Sequence, residues 1–291
     1  MVSWAWASAV PLTLAIAIAW TLLLSNQRIG SALVEELHAQ GLRVYATARS
    51  LGKMTHLAKL SNVTLVIFDV TNPDSIATAV TAVHQELSSR DDGGDTLDII
   101  INNAGQSIVY PALDTSIEEA KRLFDVNFWG VVAVTQAFVP LLRDSRHGGA
   151  VVSVCSISGF LYAPGMSTYN ASKAALMSWS ETLRLELEPF NTRVISLVTG
   201  SVATNVMSHS NIALHETSLY HKAFPDIQAR GVGEDVSRKS APADFAREVV
   251  KVILGGASGT VWRGAMALMV RFMVKFMDRA IQTGIGLDKL R

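Results

Sequence analysis

Leu97-Asp-Ile-Ile-Ile-Asn-Asn-Ala-Gly105 decides the fold. Its first half, Leu97 to Ile101, is apolar apart from Asp98 and reads as a short strand buried on both faces. Its second half, Asn102-Asn-Ala-Gly105, turns abruptly to amides and small residues. At the carboxyl end of a parallel strand such residues let a ligand approach the backbone, where open α/β sheets place their sites. Taken alone, the same four residues read equally as an Asn/Gly turn.

Outward from this stretch, helical and strand patterns alternate as repeated βα units. Ile29 to Gln40 is an amphipathic helix stopped by Gly41, and Leu42 to Ala46 and Val63 to Phe68 are short β-rich runs. Asn72-Pro73 opens a helix that carries Ile76, Val80, Val83 and Leu87 at helical spacing. Downstream come a long helix from Ile117 to Val139, a strand Ala150 to Cys155, a helix Tyr169 to Glu188 and a strand Arg193 to Val198. This cadence predicts a doubly wound, Rossmann-like α/β fold with a parallel sheet, in one domain spanning residues 29–291. Residues 205–240 lose periodicity and read as a substrate loop with one short helix. The tail, residues 261–291, is expected to be a C-terminal helix. Its Val261 to Met277 stretch, with Arg263, Arg271 and Lys275, would close the pocket, lie on a membrane surface or pack on the core.

Composition narrows the function. A formal net charge of +0 and 17% charged residues provide no basic field for nucleic acid. The single cysteine, Cys155, cannot form an internal disulfide, and no Cys/His spacing suits a metal. A reducing, cytosol-facing compartment follows.

The first 28 residues are the anomaly. Val2 to Leu24 carries no charge, and as a helix it would extend roughly 34 Å at about 1.5 Å per residue, enough to cross a bilayer core. It lacks a basic start and a cleavage site, so an uncleaved anchor and a buried strand from Ala15 to Leu22 are the two readings. They exclude each other, and the helical anchor is preferred here. The protein is accordingly expected at a membrane with its domain facing the cytosol, or in the cytoplasm if the leader is a strand.

Tyr169-Asn-Ala-Ser-Lys173 carries the chemistry. A phenol and an ammonium four residues apart on a helix share one face, and a nearby cation favours the phenolate. That arrangement makes Tyr169 a proton donor and acceptor, with Ser156, just past a strand, able to hold a carbonyl oxygen. Asn127 interrupts an apolar helix, and its amide must find a partner. Asp69 ends a strand and suits an adenine amino group or a turn. Arg49, nineteen residues beyond Gly30 with no acid at that strand end, suits a 2′-phosphate.

Together Asp69, Asn102-Asn-Ala-Gly105, Asn127, Ser156, Tyr169, Lys173 and Thr199-Gly-Ser-Val-Ala-Thr204 resemble the classical short-chain dehydrogenase/reductase family. The wording of Val44-Tyr-Ala-Thr-Ala-Arg49 and Leu183-Arg-Leu-Glu-Leu-Glu188 is most similar to fungal NADPH-dependent 1-acyldihydroxyacetone-phosphate reductases and relatives acting on polyketide-derived ketones. The resemblance implies Tyr169 as acid/base, Lys173 tuning it and binding the ribose, Ser156 orienting the carbonyl, and Asn127 holding a relay water. It implies NADP(H) as cofactor, contacted by Gly30, Arg49, Asp69, Asn103, Gly105, Tyr169, Lys173, Val202 and Thr204. The family's glycine-rich phosphate turn reads here Leu22-Leu-Leu-Ser-Asn-Gln-Arg-Ile-Gly30, keeping only its last glycine. The expected activity is reduction of a lipid-like or polyketide-derived ketone to a secondary alcohol. The alternative is a catalytically impaired relative with a binding or structural role. A small-molecule ketone or alcohol is the expected partner, with self-association left open.

Overall fold

The computed structural model describes residues 15–19, 29–89, 96–143, 145, 147–204, 213–234, 236 and 238–277. Seven parallel strands form one sheet in the order β3-β2-β1-β4-β5-β6-β7. They are β1 (Ala15–Ala19), β2 (Arg43–Ala48), β3 (Val63–Ile67), β4 (Ile99–Asn102), β5 (Gly149–Ser156), β6 (Thr192–Thr199) and β7 (Gly259–Arg263). Eight α-helices accompany them: α1 (Ile29–Ala39), α2 (Pro73–Ser88), α3 (Ile117–Phe124), α4 (Gly130–Arg143), α5 (Ser167–Leu187), α6 (Phe224–Gly231), α7 (Pro242–Leu254) and α8 (Ala267–Phe276). The doubly wound expectation holds.

The apolar leader is not a spanning helix where it is described. Ala15–Ala19 lies between β2 and β4, with Ile16 in register with Val44 on one side and Ile99 on the other. Without it the backbone edges of β2 and β4 would face each other unpaired in the middle of the sheet, which a closed hydrogen-bond inventory forbids. An uncharged Ala-Ile-Ala-Ile-Ala run meets the demand of a central parallel strand. The preferred reading of an anchor over Val2 to Leu24 is therefore corrected across this stretch, where the apolar leader itself forms the first strand. Residues 1–14 and 20–28, including the altered phosphate turn, lie outside the described residues. Among the described residues, one helical run, Ile117–Arg143, is long and apolar enough to cross a membrane. It is a core element here, with Leu123, Val126, Val131, Val134, Phe138 and Leu142 buried.

The two faces of the sheet take alternate side chains. Val44, Ala46 and Ala48 of β2, Ile99 and Ile101 of β4, and Val152 and Val154 of β5 pack with Leu33 and Leu37 of α1 and Phe245, Val249 and Ile253 of α7. Tyr45, Ile100, Val151 and Val194 turn to the opposite face against α2 and α4, where Phe68 and Phe138 meet edge-on. Helix α2 starts as its sequence dictates: the Asn72 side chain accepts from the Asp74 and Ser75 amides, and Pro73 occupies the first turn.

Two elements depart from the sequence expectation. The tail begins as strand β7 and becomes helical only at Ala267, because Val261 to Arg263 pair with Leu197 to Thr199 of β6. Helix α7 fills the stretch between the substrate loop and the tail, to which the sequence reading assigns no element, its Phe245, Ala246, Val249, Val250 and Ile253 forming one buried stripe. Ala267 and Val270 bury the inner face of α8, so of the three readings of the tail, packing on the core is what this segment does. At the β6 exit, a Cβ on Gly200 would lie 2.0 Å from the Ala265 carbonyl oxygen, so only glycine fits the crossing.

Candidate active site

The chain order steps outward through β1, β2 and β3 and then returns to place β4 beside β1. That reversal opens a crevice at the carboxyl ends of the strands. Ser156 terminates β5 at this edge, and Tyr169 and Lys173 stand in the first two turns of α5. The Ser156 hydroxyl accepts from the Ser158 amide at 3.1 Å, which leaves its own proton free to donate. It hydrogen-bonds the Tyr169 phenol, and this pulls the phenol's pKa down.

Burial nevertheless dominates and raises the Tyr169 phenol above its ordinary value, with Cys155 adding slightly in the same direction. The expected lowering by Lys173 is thus not the controlling effect. The Lys173 side chain is buried, and its ammonium donates to the Val154 carbonyl at 2.9 Å. Burial pushes its pKa down, partly offset by the Cys155 sulfur. Cys155 is itself pushed up to about 12 by burial, against the pull of Lys173. A raised phenol is a loaded proton donor at neutral pH.

The chain between α3 and α4 is a π-helical turn, Asp125–Trp129, and it aims Asn127 into the site. Asn127 is fully buried. Its Oδ1 accepts from the Gln106 amide at 2.8 Å, and its Nδ2 donates to the Gln106 carbonyl at 2.9 Å and to Ser172 Oγ at 3.0 Å. Ser172 in turn donates to the Tyr169 carbonyl at 2.7 Å. The side chain expected to hold a relay water has both amide hydrogens committed, so it acts as a clamp joining the β4 exit loop to the catalytic helix. Gln106 and Ser172 were not singled out from sequence. Ser172 had a legible signal, since a serine three residues after Tyr169 in a helix can bond back to that carbonyl.

On the opposite side of the crevice, Arg49 follows β2 half-buried and makes no hydrogen bond or ion pair with a described residue. An unpaired guanidinium of this kind is suited to an anion. Asp69 splits its duties: one oxygen accepts from the Thr71 amide and hydroxyl at 2.9 and 2.8 Å, the turn role left open above, while the other makes no bond with a described residue. Gly30 is buried at the start of α1. Gly105 lies so close to the relay residues that a Cβ there would sit 3.6 Å from both Asn127 Oδ1 and Lys173 Nζ. Asn103 flanks it, its backbone amide bonding the Ile101 carbonyl. Val202 and Thr204 follow β6, where Val202 bridges to Ser240 and packs on the core, and Thr204 is the last residue before 205–212, which lie outside the described residues.

Val109, Met166 and Ile227 form a small buried apolar cluster, and Ala163, Tyr169, Tyr220 and Ala223 pack against it. Helix α6 is tied down by Arg230, which donates to the Pro164 carbonyl at 2.6 Å, and the segment before it by Tyr110 Oη donating to the Ala213 carbonyl at 2.7 Å and Ser218 Oγ donating to Asp114 Oδ2 at 2.5 Å.

A family model for short chain dehydrogenases matches residues 25–214. The chain is a short-chain dehydrogenase. This dehydrogenase is 39% identical over 258 residues to the short-chain dehydrogenase ptmH of Penicillium ochrochloron, covering 89% of this chain and 92% of that one. It is 34% identical over 275 residues to the NADPH-dependent 1-acyldihydroxyacetone phosphate reductase of Saccharomyces cerevisiae, covering 90% and 89% of the two chains. Among solved structures, a short chain dehydrogenase from Burkholderia cenocepacia in complex with NADP superposes with a TM-score of 0.71 at 26% identity, covering 94% of this chain and 98% of that one.

Proposed function

We propose that this dehydrogenase is an NADP(H)-dependent carbonyl reductase that converts a lipid-like or polyketide-derived ketone to a secondary alcohol, with Tyr169 as the acid/base. The observation that carries the reading is the placement of the Tyr169 phenol beside the Ser156 hydroxyl and one helix turn from Lys173, at the switch point of the sheet. The described residues fit the dinucleotide, while the altered phosphate turn lies outside them. Arg49 brings an uncommitted guanidinium to the β2 end for a 2′-phosphate, and Lys173 uses one of its three N–H donors on Val154, leaving two for ribose hydroxyls. Gly105 keeps a side chain away from the Lys173 ammonium. Asn103, Asp69, Gly30, Val202 and Thr204 are proposed to complete the same binding edge.

When bound, NADPH supplies the hydride. Ser156 donates to the substrate carbonyl oxygen and fixes its position, and Tyr169 Oη delivers the proton to that oxygen as the carbon is reduced. Lys173 then stabilises the phenolate left on Tyr169 until the proton is restored. The clamp from Gln106 through Asn127 and Ser172 to the Tyr169 carbonyl holds the helix turn that carries both residues. Placement of positioned acid catalysis in this way is typically worth about 10²- to 10⁴-fold. The buried thiol of Cys155 suits a reducing, cytosol-facing compartment.

The test is isotopic. Incubation of the full chain with NADPH deuterated at the transferable position and a ketone should yield an alcohol one mass unit heavier at the carbinol carbon. Saturable NADPH binding with no label transferred to any of a broad panel of ketones would overturn the catalytic reading.

A further inference from the structure

We propose that the outer face of α8 docks on the surface of an anionic lipid bilayer. The direction in which this helix turns its apolar side chains, the charges beside them and the small area they offer to a protein all support this occupant.

Helix α8 is apolar on two faces. Its inner face is committed: Ala267 and Val270 are buried in the cluster that holds Cys155, Leu176 and Trp262, and Val274 packs against it. The helix therefore cannot roll to hide its other side. There Leu268, Phe272 and Phe276 recur every fourth residue, which sets them on one stripe, and Met269, three residues before Phe272, widens it. Leu268 is 66% exposed, Met269 51%, Phe272 58% and Phe276 64%. The rings of Phe272 and Phe276 lie 4.9 Å apart, so the exposed apolar surface is continuous. Isolated apolar side chains on a surface need no explanation, but a continuous stripe along a helix marks a contact surface.

The charges beside the stripe are of one sign. Arg271 and Lys275, each one residue before a phenylalanine of the stripe, form a parallel exposed row. Neither makes a hydrogen bond or ion pair with a described residue. Lys275 Nζ lies 5.2 Å from the centre of the Phe276 ring, its stem laid along apolar surface and its charge at the margin. From Val249 to Met277 the chain carries Lys251, Arg263, Arg271 and Lys275 and no carboxylate. The bounding acids are Glu248, which meets Arg263 at 4.0 Å, and Asp278, which precedes Arg279 outside the described residues. Lys251, Arg263 and Arg271 also line, with Glu248, an open groove that Leu268 borders. Aromatic and aliphatic side chains turned outward with Lys and Arg along one flank suit the boundary between headgroups and acyl chains.

A protein is a poorer occupant. A helix of 10 residues is about 15 Å long and offers far less than the roughly 800 Å² per partner of a stable protein interface. A second copy meeting this face by two-fold symmetry would bring Arg271 and Lys275 against their own counterparts, with no carboxylate on α8 to separate them. Anionic lipids require no fixed partner geometry, and each cation near their surface contributes.

Vesicle flotation of the full chain tests this, with phosphatidylcholine vesicles and with phosphatidylcholine vesicles containing phosphatidylserine. The wild type should partition preferentially into the phosphatidylserine vesicles, and less so as salt rises. Arg271→Gln with Lys275→Gln should lower that partition about 30-fold, roughly 5-fold for each cation, whereas Arg271→Lys with Lys275→Arg should retain it. Leu268→Ser with Phe272→Ser should lower it at least about tenfold. All four side chains are exposed, so each pair should keep the wild-type melting temperature, and the glutamine pair carries the test if the serine pair does not fold. A wild type that stays off phosphatidylserine vesicles, or that partitions equally into both kinds, overturns the proposal. So does vesicle binding that the glutamine and serine pairs leave unchanged, which assigns the contact to another segment. A concentration-dependent dimer abolished by the serine pair, with no vesicle binding, overturns it in favour of a second copy. None of these readouts involves turnover, so the reductase reading stands or falls separately.

Discussion

Asn127 and Ser172 form the most informative pair to perturb, because one hydrogen bond joins them and each also holds a different segment. Asn127→Leu keeps the branched outline and removes three bonds: from the Gln106 amide at 2.8 Å, to its carbonyl at 2.9 Å and to Ser172 at 3.0 Å. At about 1 kcal/mol net per bond, the loss is about 3 kcal/mol. Ser172→Ala removes the shared bond and the one to the Tyr169 carbonyl, which α5 still satisfies through its own ladder, so about 1 to 2 kcal/mol is expected. The double variant counts the shared bond once, and a double-mutant cycle by urea unfolding should therefore return a coupling of about 1 kcal/mol. For a domain of this size about 3 kcal/mol corresponds to a melting shift of about 6 to 12 °C. Strict additivity, or an Asn127→Leu variant as stable as the wild type, would refute the clamp.

Other expectations follow from the same accounting. Thr135→Val strands the buried Asn102 Nδ2, now bonded to Thr135 at 2.9 Å, and should cost about 1 to 3 kcal/mol in urea unfolding. Ser153→Ala removes a buried hydroxyl that has no partner among the described residues, and should be neutral or stabilising in the same assay. Cys155, raised from 9.0 to about 12, keeps its proton in the folded state where the unfolded thiol loses it. Its contribution is fully present below pH 9 and is lost as pH rises towards 12, so Cys155→Ala should flatten any alkaline loss of stability in that window. Because only the thiolate reacts, iodoacetamide at pH 8 should label Cys155 on unfolding and spare it in the native state. Arg49→Glu should weaken NADPH binding by at least about tenfold while affecting NADH little, read by nucleotide fluorescence, since a charge-assisted contact is worth about 1.5 to 3 kcal/mol.

Much of this site was legible because its residues are spaced by secondary structure. Tyr169 and Lys173 share a helix face by their four-residue interval, and Ser156 ends a strand whose apolar run is plain. Spacing does not say where an ammonium bonds, and so it missed that Lys173 meets the Val154 carbonyl and that burial governs the phenol. The π turn was not legible, since the hydrogen-bond register within a helix leaves no mark on the apolar pattern; only the odd Asn127 in an apolar run hinted at it. Helix α7 was legible in the spacing of Phe245, Val249 and Ile253 and was passed over because the preceding loop has no period. Ala15–Ala19 was ambiguous for a physical reason: an uncharged Ala/Ile run satisfies a buried strand and an apolar helix alike, and only the waiting edges of β2 and β4 choose between them.

The proton-transfer claim has one direct measurement: single-turnover reduction of an uncharged ketone by NADPH, comparing the wild type with Tyr169→Phe. The raised phenol should donate throughout the neutral range, so the wild-type rate should hold there and fall only beyond the ordinary phenol range. Tyr169→Phe should lose about 10²- to 10⁴-fold in rate at saturating NADPH. A Tyr169→Phe variant that reduces the ketone at the wild-type rate would contradict the account.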